Sequence, residues 1–206
     1  MGPCFRSFQA STAWNLLVNV AGLKAGETVL IMGAGGNLGS IGIQIAKNVI
    51  GAKVIAAAGS DERVKTGLEL GADHAVNYNA CDLQAEVMAL TGGKGVDVLY
   101  DNIANPKVLP KAFRAIGFDG RLVTAGAHAG PHVAIDFAHL YHKRITIKGQ
   151  PGYHPADVPK CFAAAAEGKV QAQIERILRL SRAAEAHRLV ESGESLGKIV
   201  LDPTLG

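Results

Sequence analysis

Short apolar runs alternate with amphipathic stretches along this 206-residue chain. Residues 29–31 (VLI) have no polar face, as expected of a strand that is covered on both sides. Residues 40–48 place Ile41, Ile45 and Ala46 on one face, which predicts a helix. Because such strands and helices alternate, we predict an α/β domain with a doubly wound, parallel, six-stranded sheet. The six strands are predicted at 29–31, 54–58, 75–78, 96–100, 121–125 and 145–148. Helices are predicted at 12–21, 40–48, 62–70, 83–90, 108–116, 155–167 and 181–191, with further strands at 174–180 and 198–201.

Four glycines follow the first strand directly: Gly33, Gly35, Gly36 and Gly39. Glycine adopts positive φ at little cost and has no Cβ, so the chain can turn sharply and a pyrophosphate can approach the backbone. The spacing differs from G-x-G-x-x-G, because the third glycine is Gly39 and not residue Leu38, and we interpret Gly33, Gly36 and Gly39 as the working set. The strand before and the helix after favour the dinucleotide site of a Rossmann-type βαβ unit over a glycine-rich surface turn.

The end of the second strand indicates which dinucleotide is bound. NAD sites usually place an acidic residue there to bind the ribose 2′-hydroxyl. This strand ends in Ala58, and Ser60 and Arg63 follow, a hydroxyl and a guanidinium that suit a 2′-phosphate. Asp61 is a competing acceptor, which we interpret as a first-turn helix acid beside Glu62. The pattern therefore favours NADP(H) over NAD(H).

The composition excludes several classes of protein. Apolar residues make up 48% of the chain and charged residues 19%, which fits a compact α/β protein. The net charge of +3 is too small to favour a nucleic-acid partner. Because no apolar run approaches the roughly 20 residues that span a bilayer, and residues 1–11 lack a signal-peptide core, we expect no membrane partner. Cys4, Cys81 and Cys161 lie far apart, which predicts reduced thiols in a cytoplasmic protein.

Six segments carry a resemblance to a known family: TAWNLL, KAGETVLIMGAGGNLGSIGIQIAK, SDERVKTGLELGADHAVNY, LTGGKGVDVLYDN, GRLVTAGA and AAEAHRLVESGESLGKIVL. Together they resemble the medium-chain dehydrogenase/reductase superfamily, in its quinone oxidoreductase and zinc-type alcohol dehydrogenase-like branch. The resemblance implies an NADP(H)-dependent oxidoreductase that transfers hydride to or from a carbonyl or an activated C=C bond. It also implies that this chain is the cofactor-binding half of such an enzyme.

The same resemblance sets the expected domain organisation. Residues 1–10 would be a linker from an N-terminal catalytic domain, and residues 11–206 the NADP(H)-binding domain with a C-terminal extension. A small-molecule substrate would bind largely through that N-terminal domain, so the isolated chain is expected to turn over poorly. A stand-alone nucleotide-binding or redox-sensing module without catalysis stays open as the alternative.

The resemblance further implies where the cofactor is bound. The expected contacts are the pyrophosphate turn, the 2′-phosphate pocket, the end of the fourth strand and the loop after the fifth. The pyrophosphate turn corresponds to Gly33, Gly36, Asn37 and Leu38, and the 2′-phosphate pocket to Ser60, Arg63 and Tyr78. The end of the fourth strand corresponds to Asn102, and the loop after the fifth strand to Gly126, Ala127 and His128. No catalytic residue is assigned, since Asp101 fits either a catalytic acid or a residue that orients its loop.

Zinc and oligomeric state are also addressed by the resemblance. Zinc alcohol dehydrogenases carry a catalytic cysteine four residues before the threonine of the first helix, and Phe8 occupies that position here. We therefore expect no zinc in this chain, and we interpret its clustered histidines as surface residues: His128, His132, His139 and His142. In relatives the sixth strand pairs with its twin, so a homodimer through residues 145–148 is expected.

Overall fold

The large sheet contains six parallel strands in the order β3-β2-β1-β4-β5-β6. The computed structural model describes residues 8–193 and 195–205, so most of the expected linker lies outside the described residues. This strand order places a topological switch point between β1 and β4. The predicted Rossmann-type, doubly wound, six-stranded sheet is confirmed. Its strands are β1 (Thr28–Met32), β2 (Lys53–Ala58), β3 (His74–Asn77), β4 (Val96–Asp101), β5 (Ile116–Thr124) and β6 (Thr146–Gly149).

Helices connect the strands at nearly the predicted positions. The first begins at Phe8, four residues before its predicted start, and the helix at 137–142 has no buried residue and was not predicted. No helix in the described ranges is both long and apolar enough to cross a membrane. The α-helices of the described residues are α1 (Phe8–Trp14), α2 (Asn37–Gln44), α3 (Asp61–Glu69), α4 (Leu83–Leu90), α5 (Leu109–Arg114), α6 (Phe137–His142), α7 (Val158–Ala166) and α8 (Ala183–Glu191). A π-helical segment extends α1 over Asn15–Val20, and another extends α2 over Ile45–Ile50. Short 3₁₀ helices precede α7 and α8.

The central strand β1 is buried on both faces because its side chains alternate between two apolar cores. Val29 and Ile31 pack into the core formed with α1, α2 and α7. Leu30 and Met32 pack into the core formed with α4 and α5. Apolar side chains that alternate between the two faces over residues 29–32 are what a strand between two helix layers requires. This burial holds the turn after β1 rigidly at the carboxyl edge of the sheet.

The C-terminal segment forms a second, separate sheet of two parallel strands, β7 (Ile174–Arg179) and β8 (Lys198–Asp202). We call residues 174–202 the C-terminal unit. Its connection is fastened to α2, because buried Gln44 donates to the Gln171 carbonyl at 2.9 Å and accepts from the Gln171 N–H at 2.8 Å. Several large apolar side chains of the unit remain exposed: Ile174, Ile177, Leu180 and Val190.

Candidate functional site

The turn between β1 and α2 consists of three glycines and the buried Ala34. Gly33 has a φ of +73°, in a backbone region that residues other than glycine rarely adopt. Its N–H donates to the Ala57 carbonyl at 2.9 Å, and its carbonyl accepts from the Gly36 N–H at 2.8 Å. Among the described residues, no side chain caps the α2 N-terminus at Gly36. The first N–H groups of α2 are therefore available to an anion.

Two glycines of this turn, and Gly39 in the first turn of α2, are constrained by close contacts. A Cβ on Gly39 would lie 2.1 Å from the Gly33 carbonyl oxygen, and one on Gly36 would lie 3.2 Å from the same atom. A Cβ on Gly35 would lie 2.6 Å from Cγ of Arg63. The turn and the helix thus touch backbone to backbone, which leaves a bare cradle of the kind that a pyrophosphate requires.

A cavity of about 310 Å³ opens at the carboxyl edge of the sheet, beside the switch point. It brings together most of the predicted cofactor residues, whereas Ser60, Gly35, Gly126 and Ala127 do not line it. Four lining residues were not predicted as cofactor contacts: Gln9, Ala58, Gly59 and Ile103. The lining residues that were predicted are Gly33, Gly36, Asn37, Leu38, Gly39, Arg63, Tyr78, Asn102 and His128.

Ser60 and Asp61 begin α3 at the rim of this cavity. The Ser60 hydroxyl accepts the Arg63 N–H at 3.4 Å and caps the helix. Asp61 accepts a hydrogen bond from the Asn77 side-chain amide at 2.7 Å. The Asp61 carboxylate is therefore engaged by the end of β3, in addition to its first-turn helix position.

Arg63 crosses from the glycine turn to the C-terminal unit. Its aliphatic stem covers Gly35, and its Nη2 donates to the carbonyl of Gly193 at 2.6 Å and of Ser195 at 3.2 Å. Burial raises the pKa of the nearby Tyr78, against the lowering effect of the Arg63 charge. A 2′-phosphate in this cavity would have to compete with two carbonyl oxygens for the guanidinium.

The loop after β4 forms the opposite wall. Asp101 is 1% exposed, and its carboxylate accepts the Ala104 N–H at 2.9 Å. Burial raises the pKa of Asp101, and backbone hydrogen bonds act against that increase. Asn102 contacts the loop after β5, since a Cβ on Gly126 would lie 2.8 Å from the Asn102 carbonyl oxygen. These contacts fit the alternative in which Asp101 orients its loop.

The histidines do not assemble into a metal site. His128 lines the cavity, whereas His139 contacts the Ile116 carbonyl at 3.1 Å, and its ring packs against Phe113. His142 packs against Tyr141. Within residues 8–193 and 195–205, no group of three or more His, Cys, Asp or Glu is arranged to hold a metal ion. The side chain of Phe8 lies outside the described residues.

A larger cavity of about 1090 Å³ lies between the glycine turn and the C-terminal unit. Lys198 lines it together with Gly35, Gly36 and Asn37, and its ammonium donates to the Gln9 side-chain carbonyl. Sequence reasoning missed Lys198 and Gln9 as site residues. The cavity is assembled from three segments that lie far apart in the sequence, so a local sequence pattern does not reveal it. The one local indication is the positive charge of Lys198 at the start of an apolar strand.

Similarity to known proteins gives the family of this chain. A family model described as zinc-binding dehydrogenase matches residues 37–167. The chain belongs to the zinc-binding dehydrogenase family. It corresponds to the cofactor-binding half of medium-chain dehydrogenases/reductases, which confirms the resemblance seen in the sequence.

Individual proteins agree with this assignment. The chain is 32% identical to quinone oxidoreductase-like protein 2 of Bos taurus, over 92% of this chain and 57% of that protein. A solved NAD-dependent alcohol dehydrogenase superposes with a TM-score of 0.89 at 36% identity, over 95% of this chain and 56% of the other. The 2-octenoyl-CoA carboxylase reductase CinF, solved with NADP and 2-octenoyl-CoA, gives a TM-score of 0.86 at 26% identity, over 96% and 49%. The chain therefore spans about half the length of these relatives.

The contact between Gly39 and Gly33 predicts an asymmetric response to alanine within α2. We expect Gly39→Ala to lower the free energy of unfolding by about 3 kcal/mol, since its Cβ overlaps a backbone oxygen that cannot move without opening the turn. Gly42→Ala is the matched control, because its Cβ would meet the Tyr100 ring at an ordinary 3.6 Å. It should be neutral or stabilising by up to about 1 kcal/mol. Urea unfolding of both variants tests this, and equal effects would contradict it.

Proposed function

We propose that this chain is the NADP(H)-binding domain of an oxidoreductase that transfers hydride to or from a carbonyl or an activated C=C bond. The observation that supports this proposal most directly is the glycine turn at the N-terminus of α2, beside the switch point. Because these glycines have no Cβ atoms, a pyrophosphate can approach the backbone closely. When bound, the nicotinamide supplies the hydride chemistry. The chain's own residues bind the cofactor and orient it at the carboxyl edge of the sheet.

In this proposal, Arg63 distinguishes NADP(H) from NAD(H) by binding the 2′-phosphate. No carboxylate stands at the end of β2, where Ala58 and Gly59 line the cavity instead. The guanidinium of Arg63 now donates to two neutral carbonyls, and a phosphate is a stronger, charged acceptor for the same donors. We therefore propose that NADP(H) is preferred to NAD(H). Among the relatives, CinF was solved with NADP whereas the alcohol dehydrogenase is described as NAD-dependent, so the choice depends on these local residues.

The share of its relatives that this chain covers supports a proposal for the domain organisation. We propose residues 11–206 as the cofactor-binding domain and residues 1–10 as the linker from an N-terminal catalytic domain that carries most of the substrate pocket. The exposed apolar side chains of the C-terminal unit support this, since such a surface is commonly covered by another domain. Cys81 and Cys161 are both free, which supports a cytoplasmic location.

A homodimer through β6 is the proposed assembly. In the described residues β6 pairs with β5 on one side, and all four residues of β6 are exposed, with Ile147 at 43%. An exposed edge with a large apolar side chain is a template for pairing with a second copy.

The first prediction from this proposed function concerns cofactor choice. We expect the chain to bind NADPH more tightly than NADH, and Arg63→Ala to weaken NADPH binding about tenfold because a charged hydrogen bond is lost. NADH binding should change little, and parallel fluorescence titrations measure both. Arg188→Ala, an exposed arginine of α8, is the control. Equal loss for both cofactors would instead indicate that Arg63 acts through its contacts with the C-terminal unit.

The second prediction concerns turnover. We expect the 206-residue chain to bind NADPH yet reduce simple quinones and aldehydes close to the background rate, since most of the substrate pocket is proposed to lie elsewhere. Absorbance at the NADPH band follows the reaction, and binding measured on the same preparation shows that the site is folded. Appreciable turnover would overturn the proposed division of labour. An in-frame β-rich domain encoded upstream would exclude the stand-alone module.

The third prediction concerns assembly. Light scattering at micromolar concentration should give a dimeric mass, and Ile147→Lys should shift it to a monomer by placing a charge in the paired edge. Ile177→Lys, at a somewhat more exposed isoleucine of β7, should leave the mass unchanged. A monomeric mass for the unmodified chain would refute the dimer.

A further inference from the structure

Two asparagines join the ends of β2 and β3 beside the proposed 2′-phosphate pocket. The Asn77 amide donates to Asp61 at 2.7 Å, and its side-chain oxygen accepts the Asn79 N–H at 3.0 Å. The Asn79 amide donates to the Gly59 carbonyl at 2.8 Å. Since both ends of the Asn77 side chain are engaged, its amide nitrogen is held towards Asp61.

Tyr78 lies between these two residues and faces the same pocket. A Cβ on Gly59 would lie 3.0 Å from the Tyr78 hydroxyl and 3.1 Å from the Asn79 amide nitrogen. The backbone N–H of Tyr78 donates to the Ala58 carbonyl at 3.0 Å. The two asparagines thus bracket the pocket wall, but only Asn77 engages a charged side chain.

That charge matters because of where Asp61 stands. It is the first carboxylate after β2, three residues past the strand's end, next to Ser60 and two residues before Arg63. A carboxylate in this region normally accepts from the ribose hydroxyls of NAD, and it repels a 2′-phosphate. Once deprived of its partner, the exposed Asp61 side chain would be free to turn towards the ribose.

We propose that Asn77 determines cofactor specificity by holding the Asp61 carboxylate against β3, away from the ribose 2′ position. The inference rests on the proposed NADP(H)-binding function and assigns a role to a residue outside the cavity lining. Asn77 acts here as a positioning residue, since it works through Asp61.

The test compares two variants, each of which replaces one asparagine side chain with alanine. In Asn77→Ala, the ratio of the NADH to the NADPH dissociation constant should fall about fivefold, because the released carboxylate disfavours one cofactor and accepts from the other. Asn79→Ala is the matched control: it removes a bond to a neutral carbonyl, so both constants should change by the same factor. Thermal unfolding of each variant measures any general loss of structure. An unchanged ratio in Asn77→Ala would overturn the proposal.

A double variant isolates the carboxylate. Asp61→Asn alone should change the ratio by less than about twofold, since the charge is already held away. In Asp61→Asn/Asn77→Ala the fall in ratio should disappear, whereas a purely structural role for Asn77 would leave the fall in place. The ratio is measured against the unmodified chain. Equal affinity of that chain for both cofactors would refute the NADP(H) preference and the role of Asn77 together, whereas an unchanged ratio in Asn77→Ala with the preference intact would refute the role of Asn77 alone.

Discussion

The contact of α2 with the turn that precedes it is the constraint on which the site depends. A helix that approaches a carbonyl oxygen closely enough to leave no room for a Cβ at Gly39 can be built only from glycine at that position. The same approach aims the helix N-terminus at the carboxyl edge of the sheet. Burial of β1 between two apolar cores keeps the turn from relaxing, so the helix dipole and free N–H groups converge on one place.

Around this rigid centre, the polar groups are held by contacts between distant segments. Arg63 is shared between the glycine turn and the C-terminal unit, and Asp101 holds the loop that carries Asn102. The C-terminal unit is itself fastened to α2 through Gln44. The proposed 2′-phosphate contact and the position of this unit therefore depend on the same guanidinium, so the proposed cofactor site is linked to a surface that exposes apolar side chains.

Sequence reasoning predicted the elements well where burial is strong. The helix α4 was predicted at the residues where it occurs, and the strands of the large sheet differ from prediction mainly at their ends. The helix α6 was missed because it buries no residue and so leaves no apolar periodicity to detect. The glycine turn was predictable as well, since its chemistry is local and its residues are consecutive.

The sequence by itself determined the βαβ unit, the parallel sheet and the glycine cradle, because these depend on apolar periodicity and on backbone conformations that neighbouring residues impose. Only the tertiary structure decided where the polar side chains point. Arg63 reaches carbonyls 130 and 132 residues away, and Asp61 meets Asn77 across 16 residues. Such pairings arise from the packing of separate elements, and no periodicity along the chain records them.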